Sequence, residues 1–332
     1  MKITLAHGSG GQATKELIDE IFAKAFNNEI LEQMEDSAVV TGNERLAMTT
    51  DSFVVTPLEF PGGDIGRLCI CGTVNDLLMR GAVPKYITCG FILQEGAQTE
   101  QLERIVKSMA ETAREAGVQI VAGDTKVIEG NGGIFINTAG VGFIESDVDI
   151  SSARSKDGDV IIASGNMGDH HAAILAERME IESPVVSDNA PLNDMVMNLL
   201  HGGIDVHVMR DVTRGGIATV LKELAEGGNC IMEIDEDAIP VSSQVKDFAG
   251  LLGLEPLYMG NEGKMIAIVP KNQAEQALAI IKNSKYGKEA AIIGRVIKQA
   301  EQTDNGRLIL RTSIGGRRNL EILQGEGLPR IC

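Results

Sequence analysis

Two βα-rich domains in tandem are the fold this sequence predicts, on three observations. Strand-like apolar runs alternate with helical periodicity up to residue 144. A polar, turn-rich stretch at 145–158, with Ser151-Ser152 and Asp157-Gly158, interrupts that alternation. The alternation then resumes from residue 159. With 332 residues the chain is long enough for two separate cores.

The first half opens on the glycine-rich run His7-Gly8-Ser9-Gly10-Gly11. Apolar Leu17, Ile18, Ile21, Phe22 and Ala25 then recur at helical spacing and predict a helix over 14–26. Strands are expected at 45–50, 86–93, 119–122 and 134–144. Helices are expected at 65–80 and 99–116, the second stopped by Gly117. In the second half a strand at 159–164 runs into Gly165-Asn166-Met167-Gly168 and a helix at 169–178. Further helices fit 194–200, 215–227 and 271–282, with strands at 206–209, 230–234 and 265–269. Two strand-like pieces, 307–310 and 318–323, precede Gly325, Gly327 and Pro329, breakers that favour an extended end. The expected organisation is residues 1–150, residues 151–303, and a mobile tail from 304 to 332.

Hydrophobic content of 43% with 23% charged residues is ordinary for a globular protein. With no apolar run of about 18 residues and no signal peptide in its first residues, the chain is expected to be cytoplasmic and not in a membrane. A net charge of −17 argues against a nucleic-acid partner. The charge is uneven. From residue 306 onward five arginines face two glutamates, a net of +3 that leaves −20 on the remainder. Such an end is expected to lie against the acidic body. Five cysteines (Cys69, Cys71, Cys89, Cys230 and Cys332) make an odd set with no disulfide framework, and Cys69-Ile70-Cys71 has the wrong spacing for a zinc knuckle. Cys332 closes the chain behind Pro329-Arg330-Ile331, where a thiol on a movable tether suits a carrier, loaded at one site and altered at another.

Four acidic motifs carry chemistry: Thr50-Asp51-Ser52, Asn75-Asp76, Gly123-Asp124-Thr125-Lys126 and Arg210-Asp211-Val212-Thr213-Arg214-Gly215-Gly216. Taken singly, an aspartate in such a setting is an ordinary cap or turn residue. Several of them converging on one crevice would suit Mg²⁺-bridged triphosphate, because hard cations take carboxylate and phosphate oxygens. Backbone N–H groups of His7–Gly11 could wrap phosphate, although the run matches neither common glycine-loop pattern.

Together these motifs, with Phe60-Pro61-Gly62-Gly63, Gly168-Asp169-His170, Asn261-Glu262-Gly263-Lys264 and the ending Pro329-Arg330-Ile331-Cys332, resemble the HypE family of hydrogenase maturation factors over essentially the whole chain. That family lies in the superfamily of aminoimidazole ribonucleotide synthetase and selenophosphate synthetase. The aspartate motifs are common to the superfamily, and the Pro-Arg-Ile-Cys ending singles out this member. The resemblance implies two α+β domains in a PurM-like fold, with the first sheet pairing across a homodimer and nucleotide between the domains. It implies an ATP-dependent carbamoyl dehydratase that makes the cyanide ligands of [NiFe]-hydrogenase. HypF would load a carbamoyl group on Cys332, ATP would drive its dehydration to a thiocyanate, and the HypC–HypD complex would accept the cyano group.

Read through that resemblance, Mg²⁺ falls to Asp51, Asp76 and Asp211, with Asp124 next. Lys126, Thr125 and the backbone of His7, Gly8, Ser9, Gly10 and Gly11 hold phosphates, and Arg214 neutralises charge on the transferred group. Glu262 is the first candidate for the base of the elimination and His170 the second. Two rivals predict different behaviour. A superfamily enzyme acting on a free small substrate has no use for a terminal cysteine. A non-catalytic scaffold has no use for four aspartate motifs.

Overall fold

Apart from one short hairpin the strands sort into two sheets, and burial alternates along those of the first. They are seen in a computed structural model that describes residues 2–8, 12–33, 38, 40–299 and 306–324. Near the start, α1 (Gln12–Leu17), a wider-turned stretch Ile18–Ala23 and α2 (Lys24–Phe26) form the expected helical run, with Ile21 and Phe22 buried. The first sheet holds β1 (Leu46–Phe53), β4 (Ala82–Gln94), β5 (Gln119–Ile128) and β6 (Ile134–Ile144) in the order β1-β6-β4-β5. Between β1 and β4 come a small hairpin, β2 (Glu59–Phe60) and β3 (Gly63–Asp64), and then α3 (Ile65–Met79). Asp64 caps α3 by accepting a hydrogen bond from Arg67 N–H at 2.8 Å. Helix α4 (Thr99–Ala116) links the parallel pair β4 and β5, and left-handed Gly117 (φ 68°) ends it.

Side chains alternate across this sheet, so register decides which face each motif uses. Thr49, Asp51 and Phe53 lie on the face that α3 covers, in line with buried Cys89 and Phe91 of β4. Among the described residues the opposite face is open. It carries Met48, 74% exposed, with exposed Leu46, Ile92 and Ile128.

The second sheet runs β13-β12-β9-β11-β7-β10-β8. Its chain order begins with β7 (Val160–Ala163), α5 (Asp169–Arg178), α6 (Asn193–His201), β8 (Val208–Asp211) and α7 (Gly216–Gly227). It continues with β9 (Cys230–Asp235), α8 (Ser243–Leu252), β10 (Met265–Val269), α9 (Ala274–Asn283), β11 (Ala291–Gln299), β12 (Arg307–Arg311) and β13 (Arg317–Leu320). Every residue of β10 is buried, because it lies between β7 and β8. One apolar cluster crosses from Ile65, Leu68 and Val74 to Leu192, Met265 and Val269, so the two sheets share packing through α3.

One expectation about the end of the chain is revised and another is met. Residues 307–320, assigned to the tail, are instead two strands of the second sheet, with β12 paired parallel to β9 and Leu308, Leu310 and Leu320 buried. Its arginines do meet acidic body residues. Arg317 lies 3.1 Å from Glu233, and Arg311 and Arg318 pair with Asp235 and Glu255. Residues 325–332, including Cys332, lie outside the described residues. Cys69, Cys71, Cys89 and Cys230 are free and buried, as small apolar side chains would be.

Candidate active site

A pocket of about 430 Å³ opens where α3 and β1 of the first half meet the β8 end of the second. Strand β1 brings Asp51, which reaches α3 because Gly72 there carries no side chain: a Cβ would stand 2.9 Å from Phe53 and 3.5 Å from Asp51 Oδ2. Helix α3 brings Asp76, whose Oδ2 accepts a hydrogen bond from Thr49 Oγ1 at 2.7 Å. Asp211 ends β8 and pairs with Met265, the first residue of β10. The loop before β10 is bound to the same corner, with Asn261 N–H donating to Val212 O and Val212 N–H donating to Lys264 O, both at 2.9 Å. That places Glu262 beside Asp211. Arg214 follows on the turn into α7. Gly216 (φ 62°) must be glycine there, since a Cβ would approach Leu257 O to 2.5 Å.

Four carboxyl groups therefore share one partly dry site. Burial, then the charge of Asp76, pushes Asp211 up to about 7. The same two causes push Asp51 up to about 6, against the pull of Arg214. Asp76 is raised by burial against its hydrogen bond from Thr49. Glu262 is driven well above the carboxylate range by burial and then by Asp211, Asp188 and Asp51. Its Oε1 is buried without a hydrogen-bond partner. Such a cluster calls for positive charge. No three His, Cys, Asp or Glu side chains among the described residues close around one point. An open arc of hard oxygens fits Mg²⁺, which keeps several waters and binds through a few carboxylates plus phosphate.

Asp51, Asp76, Asp211, Arg214 and Glu262 are thus brought together, and other expected residues are not. Asp124, paired with Gly90 of β4, lies on β5 at the far edge of the first sheet, three strand spacings or roughly 14 Å from β1. Register also turns Asp124 and Lys126 toward the open face, whereas Asp51 faces α3. Within one chain Asp124 therefore cannot complete the metal set. Its carboxylate is lowered by the 2.8 Å contact with Lys126 Nζ. The strand is longer than expected and runs through the whole Gly123–Lys126 motif. Asp124 and Thr125 border a second, mostly apolar pocket of about 230 Å³ with Phe22 and Phe91. His7 sits in the short turn Leu5–Gly8, which packs against β5, and its Nδ1 accepts from Thr4 N–H at 3.1 Å. Ser9, Gly10 and Gly11 lie outside the described residues.

His170 does not line the acidic pocket. It is fully buried on α5, edge-on to Phe60, with Nδ1 2.7 Å from Ser187 Oγ. That packing makes it a core histidine and removes it as a base within reach of this pocket. Asp188 was not anticipated, and Arg210, read only as part of its acidic motif, and Ser151-Ser152, read only as a turn, had no site role assigned. Arg210 alternates out of β8 to the pocket rim, and the serines close the pocket from the inter-sheet segment. Asp188 lies on an irregular stretch with no periodicity to reveal it.

Both halves of the chain match the AIR synthase related proteins. The model of their N-terminal domain matches residues 34–144, and that of their C-terminal domain matches residues 156–304. Within that class the likeness is narrower. Carbamoyl dehydratase HypE of Cupriavidus necator is 47% identical, covering 100% of this chain and 95% of its own. The Escherichia coli HypE is 44% identical, with 99% of each chain covered. A crystal structure of hydrogenase maturation protein HypE in complex with ATP superposes with a TM-score of 0.95 at 45% identity, over 99% of both chains. A HypE–HypF complex matches with a TM-score of 0.79 at 45% identity, over 92% of this chain and 99% of the other. This chain belongs to the HypE family of carbamoyl dehydratases. No helix among the described residues is long and apolar enough to cross a membrane.

Proposed function

We propose that the protein dehydrates an S-carboxamide on its own Cys332 to a thiocyanate at the expense of ATP, and so supplies cyanide for the iron of [NiFe]-hydrogenase. The observation that supports this best is the one pocket lined by Asp51, Asp76, Asp211, Arg214 and Glu262, whose Oε1 is buried without a hydrogen-bond partner. An amide oxygen leaves poorly, so it must first be activated. In this reading it attacks the γ-phosphorus of ATP and ADP departs, leaving an imidate phosphate on sulfur after the amide loses one proton. Loss of the remaining N–H proton expels phosphate and leaves S–C≡N.

The chain's residues would position these groups more than react with them. Asp51, Asp76 and Asp211 would hold Mg²⁺, which supplies charge neutralisation along the phosphates. Arg214, exposed on its turn, would face the transferred phosphoryl group. Glu262 would take the proton of the elimination, since a carboxylate raised by its surroundings is a stronger base once ionised. The acceptor arm is anchored nearby. Leu323 N–H donates to Thr219 Oγ1 at 3.2 Å on the first turn of α7, and Tyr258 OH donates to Glu321 O at 3.0 Å.

The same reading makes HypF the carbamoyl donor, the HypC–HypD complex the acceptor, and the cytoplasm the compartment. It also makes the protein a homodimer through the open apolar face of the first sheet. Lys126 and Asp124 share that face, so we assign them to phosphate only from a second copy. The test is intact mass after incubation with carbamoyl donor, HypF and ATP. Cys332→Ala should acquire no carbamoyl group while still binding ATP. A cyanated Cys332→Ala protein would end the carrier reading.

A further inference from the structure

Residues 185–192 have no regular secondary structure, yet their polar groups are tied to both halves of the molecule. Toward the first half, Ser187 N–H donates to Pro61 O at 2.8 Å and Arg67 Nε donates to Asn189 O at 3.0 Å. Asn75, the neighbour of Asp76 on α3, clasps the segment twice. Its Nδ2 donates to Ala190 O at 3.0 Å, and its Oδ1 accepts from Leu192 N–H at 2.9 Å.

Toward the second half, Asp188 Oδ1 accepts Glu262 N–H at 3.1 Å, and its Oδ2 accepts Asn261 Nδ2 at 2.8 Å. Lys264 Nζ stands 3.2 Å from the same Oδ2, with side chains of 10% and 4% exposure. Ala190 N–H donates to Glu262 O at 3.3 Å. Gly263 permits this approach, since a Cβ there would stand 1.9 Å from Asp188 O. Both peptide groups of Glu262 are therefore held by one segment, and that segment also grips the residue beside Asp76. Burial alone would raise Asp188, but Lys264, then neighbouring His170 and the hydrogen bonds from Asn261 and Glu262 hold it below the usual range. It is an anion with a dedicated counter-charge.

We infer that Asp188 is a positioning residue for the dehydration: by fixing the main chain of Glu262, while its segment is clasped by the Asn75 side chain, it sets the Glu262 carboxyl against the Asp76 carboxyl across one pocket. Asp188 does not line that pocket and touches no reacting group. The inference rests on the reading of Glu262 as the base, and it adds how that base is aimed. Elimination is sensitive to such aim, because a misplacement of about 1 Å costs on the order of 100-fold.

The experiment measures single-turnover loss of water from full-length, Cys332-carbamoylated protein by intact mass, with ATP varied. Asp188→Asn should lower kcat roughly 10- to 100-fold with the KM for ATP unchanged. In a Glu262→Gln background the same change should add nothing, since the two residues act as one unit. An unchanged kcat, a raised KM with kcat kept, or an equal loss in both backgrounds would overturn the inference. A Glu262→Gln protein at full rate would instead overturn the base assignment. If the unpaired lysine keeps Asp188→Asn from folding, Asp188→Asn/Lys264→Met removes both buried charges and stands in for it. Full kcat in that folded double variant also overturns the inference.

Discussion

Asp211 should be a residue that the protein keeps against its own stability. Its side chain is 8% exposed, and burial with the Asp76 charge raises its carboxyl from 3.8 to about 7. A carboxyl raised on folding costs nothing below its unfolded value. Its penalty grows as pH climbs past about 4, and is fully present once pH exceeds the folded value near 7. Each unit is worth about 1.4 kcal/mol, so the ceiling is about 4 kcal/mol, and sharing with Asp76 brings it to roughly 2–4 kcal/mol. Asp211→Asn keeps the shape and removes the charge. Without nucleotide, urea denaturation at pH 8 should find it more stable than the parent by that amount, and at pH 4.5 by no more than about 1 kcal/mol. Dehydration should be lost in the same variant. The reasoning fails if Asp211→Asn is the less stable protein at pH 8, or if the difference between the two does not change with pH.

Other outcomes follow from the same geometry. Asp76→Asn should accept a carbamoyl group yet leave it unconverted with ATP present, and efficient cyanation by that variant would remove Asp76 from the proposed metal set. Gly216→Ala forces a Cβ toward Leu257 O at 2.5 Å in a left-handed conformation, and should cost roughly 2–4 kcal/mol, read as a lowered Tm. Met48→Glu places a charge on the open face, and should weaken the proposed dimer roughly 100-fold by sedimentation. An unchanged mass distribution would move the interface elsewhere.

Much of this was legible in the sequence because it is local. Helix α4 shows its period and its Gly117 stop, and β6 occupies the span its apolar run marks out. Asp51, Asp76 and Asp211 stand out by their small or hydroxyl neighbours. Helix α8 was missed even though Ser242 caps it and Gly253 closes it. In β11, Gly294, Arg295 and Lys298 break up the alternation, and only the pairing to β7 and β9 on either side makes it a strand. Asp124 was grouped with the wrong partners for a physical reason. One residue of register turns a side chain to the opposite face of a sheet, and no spacing along the chain reports register. Asp188 had no local signature, because its partners lie more than seventy residues away.

The arm that would carry Cys332 leaves the body at a defined place. Leu320 is buried in the sheet and Leu323 is tied to Thr219, so eight peptide steps separate Gln324 from the thiol. At full stretch these span about 26–29 Å, which makes the pocket a short-range address. A group on such a leash meets its reaction partner at a local concentration of the order of millimolar. Crowding the cell with more protein would then not speed the chemistry. Each molecule serves as its own single dose of substrate, and output is set by how often that dose is collected and renewed.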